Sequence, residues 1–247
     1  MGTPMSGGTI TAIEVQKRNR KRVNVYIDDE YAFSLSLDEA AKLHRNQHLT
    51  DAEVQALRDG DEVQRATDAA AHFLASRPRS EREIRRRLSE KDFPEPVIEA
   101  ALERLTTLGY VDDQAFAAFW VRDRMMFKPA SPRALRYELK QKGVADSIIA
   151  EALADLDAEA AAYRAAESQA KRMRGAERRT VQDKLLGLLA RRGFSYSTAR
   201  SAVRQLMEDL EAASPDFFAD PDAVSPFDDA PDEMPSSEDD APFDDNV

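Results

Sequence analysis

The stretch SEREIRRRLSEKDF at residues 80–93 decides the fold of this 247-residue chain. Ser80 followed three residues later by glutamate is the capping box that opens a helix. Ile84 and Leu88 stand four residues apart and therefore share one face of that helix. Asp92 occupies the position where the helix is expected to stop, and an apolar residue follows it. The stretch predicts a short amphipathic helix with one buried face.

The same pattern returns twice further along the chain, at spacings of 51 and 50 residues. Each copy has two leucines four residues apart, a glycine at the stop position and an apolar residue after it. The matching positions are Leu135, Leu139, Gly143 and Val144, then Leu185, Leu189, Gly193 and Phe194. A first helix is expected in each copy, at 61–77, 112–128 and 157–174. Repeats of this period predict three tandem three-helix units that stack into an elongated, curved array.

The rest of the chain divides into a β-rich start and a polar end. Before Asp38, three segments alternate apolar and polar residues with period two, which predicts a small β meander. A capping box at Thr50 predicts a short helix that ends before Gly60. The fold class is therefore mainly α. The predicted parts are a disordered leader at 1–9, the meander with short helices at 10–59, helical repeats at 60–109, 110–156 and 157–210, and a disordered acidic tail at 211–247.

Charge is distributed unevenly along the chain. The net charge is −11, but residues 211–247 hold 13 acidic residues and no basic one, whereas the preceding residues hold 35 basic against 33 acidic ones. This asymmetry is typical of proteins with a polyanionic partner, or of interaction tails. Two Pro-Phe-Asp-Asp elements, beginning at Pro226 and Pro242, favour short docking motifs, and a merely solubilising tail is the alternative. A further hypothesis is that the tail folds back over a basic face and competes with nucleic acid.

The composition gives little support for enzyme chemistry. The chain has no cysteine, which excludes disulfides and thiolate sites and leads us to expect the cytoplasm. His44 and His48 are four residues apart, but no third metal ligand accompanies them. The nine glycines form no phosphate-binding loop, and no apolar run reaches the length of a membrane span. We expect no catalytic residue, no metal and no cofactor.

Two sets of basic side chains are candidates for contact with a polyanion. The first set lies on or next to the second helix of each predicted three-helix unit, away from the buried stripe. Guanidinium groups in such a position can form paired hydrogen bonds with phosphates and carboxylates. The second lies in the loop between the first two predicted strands. For every member, an ordinary solvated surface is the alternative. The first set is Arg82, Arg85, Arg86, Arg133, Arg136, Lys140, Arg178, Arg191 and Arg192, and the second is Lys17, Arg18, Arg20 and Lys21.

Aromatic residues cluster in the first helix of the second unit. Phe116, Trp120 and Phe127 fall on one helical stripe, which favours the repeat core over a platform that stacks nucleic-acid bases. Phe119 is predicted to be the exposed member of the cluster.

Several strings, in this order and spacing, resemble the RecX family of RecA regulators. The string GYVDDQAFA from residue 109, followed by Trp120 and Arg124, is similar to the family's most recognisable motif. The resemblance covers about residues 10–208, and the acidic tail is not part of the family's core signature. The other strings are ITAIEVQKR from residue 10, YAFSL from residue 31, RSEREIRRRL from residue 79, LKQKGV from residue 139 and LARRGF from residue 189.

The resemblance implies a non-enzymatic protein that binds the RecA filament on single-stranded DNA, in the filament groove. Such a protein would limit the recombinase, ATPase and co-protease activities of RecA in homologous recombination, DNA repair and the SOS response. We expect a monomer with weak intrinsic DNA binding and no membrane association.

Two other classes remain open. In the first, the three-helix units read DNA directly in the manner of helix-turn-helix proteins, which predicts tight binding without RecA and a steep dependence on salt. The near-neutral body argues against it, because dedicated DNA-binding domains are strongly basic. In the second, the protein is an adaptor that binds other proteins through its acidic tail.

Overall fold

A computed structural model of the chain describes residues 7–219. Within that range, a four-stranded sheet and ten helices confirm the mainly α fold class with a small N-terminal β structure. The strands are β1 (Gly8–Val15), β2 (Arg22–Ile27), β3 (Glu30–Ser36) and β4 (His48–Leu49). The helices are α1 (Leu37–Ala40), α2 (Asp51–Leu74), α3 (Glu81–Ser89), α4 (Glu95–Thr107), α5 (Asp113–Phe127), α6 (Pro132–Gln141), α7 (Asp146–Ala152), α8 (Ala158–Ala170), α9 (Arg178–Arg191) and α10 (Tyr196–Ala213).

The N-terminal sheet contains the predicted meander and one additional strand. Its strand order is β3-β2-β1-β4, and all pairs are antiparallel. Asp28 and Asp29 have φ angles of 49° and 70°, as the tight turn of a twisted hairpin requires. The sheet begins inside the predicted leader, because Gly8 pairs with Leu49 of β4. The two-residue β4 is too short to show an alternating pattern, and residues 1–6 of the leader lie outside the described residues.

Helix α2 is one continuous helix of 24 residues, whereas the sequence predicts an end before Gly60. A glycine costs about 1 kcal/mol in a helix interior, and packing on both sides of this one offsets the cost. Val54 is buried against the sheet, and Ala66 is buried in the first helical unit. Arg22 of β2 also holds Asp61 through two N–H···O bonds of 2.7 and 3.1 Å. The predicted boundary between residues 59 and 60 therefore falls inside a helix.

Three groups of three helices follow the predicted repeat register, with α3, α6 and α9 as the middle helices. Each middle helix stops at a residue in the left-handed conformation, with φ of 62° at Asp92, 85° at Gly143 and 81° at Gly193. A side chain is strained there, and for that reason glycine is favoured. The register predicted from the spacing is confirmed. The six residues of the buried stripes, all fully enclosed, are Ile84, Leu88, Leu135, Leu139, Leu185 and Leu189.

The start of the C-terminal region differs from the prediction of a disordered tail from residue 211. Helix α10 continues to Ala213, and the chain then folds onto the third unit as far as Ala219. Phe217 is buried, the neighbouring Phe218 packs against the core of that unit, and the Phe217 carbonyl accepts a 2.8 Å bond from the Gly175 N–H. The burial of this aromatic ring holds an otherwise polar segment in place. The remainder of the predicted tail, residues 220–247, lies outside the described residues.

Candidate polyanion-binding face

The middle helices are positioned by a contact between units that occurs twice. The first turn of α3 lies against the last turn of α6, where the Ser80 hydroxyl donates a 2.7 Å bond to the Lys142 carbonyl. One unit later, the first turn of α6 lies against the last turn of α9, where the Ser131 N–H donates to the Arg192 carbonyl at 3.1 Å. A side chain at Gly193 would come within 2.8 Å of the Ser131 hydroxyl, so the close approach requires glycine. The units therefore follow one another in tandem.

A buried carboxylate holds the first two units together. Glu83 lies at the junction and accepts hydrogen bonds from Arg77 at 3.0 Å and from Lys142 of the second unit at 2.7 Å. Burial alone would raise the pKa of the Glu83 carboxyl, but the bonds from the two cations outweigh it and lower the pKa to about 2. The helix predicted from residues 80–93 thus also supplies, through Glu83, a contact between the first two units.

The stability of the chain is expected to fall as the pH drops through the range from about 4.5 to about 2. The pKa of Glu83 is about 2 in the folded chain against an ordinary value of 4.5. The contribution of Glu83 to the free energy of unfolding is therefore complete above pH 4.5 and is lost as the pH falls to about 2. This difference in pKa corresponds to a contribution of about 3 kcal/mol to the free energy of unfolding. Urea unfolding at pH 6, 4 and 2.5 should show the difference between wild type and Glu83→Gln shrinking with pH. Glu81→Gln is the control, and a pH-independent difference for Glu83→Gln would contradict the assignment.

The aromatic cluster of α5 is mostly structural. The Trp120 indole N–H donates to Glu138 at 2.8 Å, and the Arg124 guanidinium lies 4.3 Å from the ring centre. Phe116 is buried, as predicted. The prediction for Phe127 is wrong: this ring is 75% exposed, because it lies at the last residue of α5, beyond the core. Phe119, predicted to be exposed, is half-buried.

The arginines of the first unit are largely neutralised by carboxylates of the same unit. Arg85 pairs with Glu99 at 2.8 Å, with Glu81 at 3.1 Å and with Glu95, and the bond to Glu99 is the main cause of its raised pKa. Arg86 lies 3.6 Å from Glu90. The third predicted member, Arg82, is exposed, with its aliphatic stem against Gly143 of the second unit. Of the three predicted arginines of α3, Arg82 is therefore the one that forms no ion pair with another described residue.

The second unit presents an unpaired cationic face on α6. Arg133 and Arg136 are exposed, and neither forms an ion pair with any of the residues 7–219. Tyr137, 66% exposed, lies on the same side of the helix. Lys140 follows one turn later and is paired with Asp146 at 2.9 Å. Arginines beside an exposed aromatic ring can bind phosphates or carboxylates and at the same time stack on a base or side chain.

The three arginines predicted in the third unit lie at the two ends of α9. Arg191 is exposed at the C-terminal end, unpaired within the described part of the chain, on the turn that adjoins the start of α6 and therefore Arg133. Arg192 is half-buried, donates to the Pro129 carbonyl at 3.1 Å, and has a pKa lowered by burial. Arg178, at the opposite end, pairs with Glu211. Three unpaired arginines, Arg133, Arg136 and Arg191, thus lie on the two elements that meet at the junction of units two and three.

The predicted hairpin-tip residues are separate from this face. All four lie in the connection between β1 and β2 and are exposed, and no ion pair to another described residue involves them. The Lys21 N–H donates to the Asn19 side chain at 3.1 Å, which closes the loop. The four residues are Lys17, Arg18, Arg20 and Lys21.

Residues 7–219 contain neither a metal-binding cluster nor a membrane-spanning helix. No group of three or more histidine or acidic side chains there is arranged to hold a metal ion. Among the helices of that range, none combines the length and the apolar character needed to span a membrane.

The fold defines a helical-repeat protein with a small N-terminal sheet. Family models match three parts of the chain: the regulatory protein RecX N-terminal domain at residues 8–49, the first RecX three-helix domain at 66–105 and the second at 112–153. The chain belongs to the RecX family of regulatory proteins.

Individual relatives agree with this assignment. The chain is 33% identical over 202 residues to regulatory protein RecX of Bacillus subtilis (strain 168), covering 80% of this chain and 76% of that protein. It is 34% identical over 214 residues to regulatory protein RecX of Lactobacillus delbrueckii subsp. bulgaricus, covering 83% and 79%. A crystal structure of regulatory protein RecX superimposes with a TM-score of 0.61 at 29% identity, covering 81% of this chain and 98% of that one. The relatives are named as regulatory proteins, not as enzymes.

Proposed function

We propose that this protein binds the RecA filament on single-stranded DNA and inhibits the recombinase, ATPase and co-protease activities of RecA, without catalysing a reaction itself. Membership of a family of regulatory proteins supports a regulatory role. The proposed setting is homologous recombination, DNA repair and the SOS response in the cytoplasm, with the protein acting as a monomer. The absence of cysteine is consistent with a reducing compartment.

The observation that carries the proposal is the unpaired arginine face at the junction of units two and three. Arg133, Arg136 and Arg191 have no ion-pair partner among residues 7–219, so they are available to phosphates and carboxylates, both of which a nucleoprotein filament exposes. Arg85 and Arg86, by contrast, already have carboxylate partners. The proposed binding face therefore contains fewer residues than the nine that the sequence predicts.

The tandem arrangement supports binding along a filament. We propose that the three helical units, 60–109, 110–156 and 157–210, each face the filament through their middle helices. A stacked array offers a long surface for a long partner. The near balance of charge outside the acidic end favours weak binding to DNA alone, since strong DNA binders concentrate basic charge in one domain.

The test is ATP hydrolysis by RecA on single-stranded DNA, with this protein titrated in at fixed salt. Inhibition at well below one protein per RecA monomer is expected, because a protein bound along the filament affects several neighbouring subunits. Unchanged hydrolysis together with tight, RecA-independent binding to DNA would overturn the proposal and favour the tandem helix-turn-helix alternative.

A further inference from the structure

The start of α9, the middle helix of the third unit, is covered differently from the starts of α3 and α6. In the first two units, the start of the middle helix is covered by the following unit. At the start of α9, the described residues that occupy this place belong to the chain's own C-terminal segment 211–219. Asp216 of that segment pairs with Arg174 at 2.8 Å, and the adjacent Phe217 is buried. An acidic residue beside a phenylalanine thus docks with its carboxylate on an arginine and its ring buried.

A groove remains open beside this segment. Its volume is about 1040 Å³, which reaches the upper end of the range for small-molecule sites and leaves room for several side chains. Arg179 lines it, is exposed, and forms no ion pair with a residue of the described range. One wall is formed by Arg178, Arg179 and Gln182 of α9, and the other by Pro215, Phe218 and Ala219.

The described chain ends at the edge of the groove, because Ala219 is one of its lining residues. The first Pro-Phe-Asp-Asp element begins seven residues later, at Pro226. Seven residues can span up to roughly 23 Å when extended, and so short a tether gives the element a high local concentration at the groove. Residues 220–247 carry 11 acidic and no basic residues. The groove is also lined by Glu177, Glu211 and Asp216, of which Glu211 is paired with Arg178 and Asp216 with Arg174. Among the described lining residues, Arg179 is therefore the cation available to an acidic segment.

We propose that the element at residues 226–229 docks in this groove, with the ring of Phe227 against the Pro215 and Phe218 side and the carboxylate of Asp228 on Arg179. The docking uses the same two kinds of contact as Asp216 and Phe217, with the two residue types in the opposite order along the chain. It covers Arg179, at the start of α9, with an internal polyanion. If the middle helix of the third unit faces the RecA filament as proposed above, the element competes with the filament for Arg179 and lowers the affinity at low salt.

The docking is tested by cysteine trapping in the full chain, which has no natural cysteine. Gln182→Cys is combined with Ala230→Cys, just after the first element, or with Ala241→Cys, just before the second. Oxidised glutathione should form the 182–230 disulfide at least fivefold faster than the 182–241 disulfide. Phe227→Ala should slow the first reaction by a similar factor, whereas Phe243→Ala should not. Equal rates for the two pairs, or no effect of Phe227→Ala, would overturn the proposal.

A second measurement examines the competition. The probe is an oligothymidylate, a plain single-stranded polyanion. At low salt, the Phe227→Ala variant should bind it about fivefold more tightly than wild type, which corresponds to about 1 kcal/mol of lost docking. The Phe243→Ala control should bind it like wild type. Unchanged affinity for Phe227→Ala would show that the element does not cover Arg179. Neither measurement uses RecA, so a failure of the docking is distinguishable from a failure of the proposed function.

Discussion

Glu83→Ala is expected to destabilise the protein by about 3–5 kcal/mol, the usual cost of removing one partner of a buried ion pair. The variant leaves Arg77 and Lys142 without the carboxylate that accepts bonds from both, at 3.0 and 2.7 Å. It also removes the second half of the capping box at Ser80. The loss falls on the junction of the first two units, where both cations become uncompensated.

Urea unfolding followed by circular dichroism at pH 7 measures this effect. Glu81→Ala is the matched control, because Glu81 lies two residues earlier on the same helix and its ion pair with Arg85 is exposed to solvent. An exposed pair of this kind contributes about 1 kcal/mol or less. Similar losses for the two variants would show that Glu83 does not hold the junction. A lowered midpoint with two separate transitions would locate the damage between the first two units.

The double variant Arg133→Gln, Arg136→Gln is expected to raise the concentration needed for half-inhibition of the RecA ATPase by roughly 100-fold. Each arginine contributes about 1.5 kcal/mol if it makes one charge-assisted bond to the filament, and the sum of about 3 kcal/mol corresponds to that factor. Because both side chains are exposed and unpaired among the described residues, their replacement should leave the stability nearly unchanged.

The matched control removes the same charge from the first unit, through Arg85→Gln and Arg86→Gln. These arginines already have carboxylate partners, so the half-inhibitory concentration should change by no more than about threefold. Equal effects of the two double variants would place the contact elsewhere. Urea unfolding of both variants verifies that any loss of inhibition reflects binding and not folding.

Local pattern was sufficient for most of the architecture. The stripes at Ile84, Leu135 and Leu185 depend on the period of the helix, which is a property of neighbouring residues, and each was predicted with its buried partner four residues later. The left-handed helix ends at Gly143 and Gly193 are equally local, since glycine adopts that conformation without strain. The family could be recognised for the same reason, because its strings are short, ordered and tied to the repeat.

The errors arise where distant contacts outweigh local preference. Gly60 was expected to end a helix, but packing against the sheet and the first unit carries α2 through it. Phe127 shares the helical face of the core residues and yet lies beyond the end of the core. Phe217 is in a polar segment and becomes ordered by contacts with residues more than 40 positions earlier, around Gly175. A sequence pattern does not specify where a helix ends relative to its neighbours.

Sequence patterns alone predict a repeat of three-helix units with a sheet before it, and they place nine arginines and lysines in one candidate set. Which of these nine side chains lack an ion-pair partner follows from the packing of the helices. Glu95 and Glu99 reach Arg85 from α4, and Glu211 reaches Arg178 from α10, whereas Arg133 and Arg136 meet no carboxylate among the described residues. The physical reason is that the charge available at a surface depends on the distances between side chains on different helices, which packing alone sets.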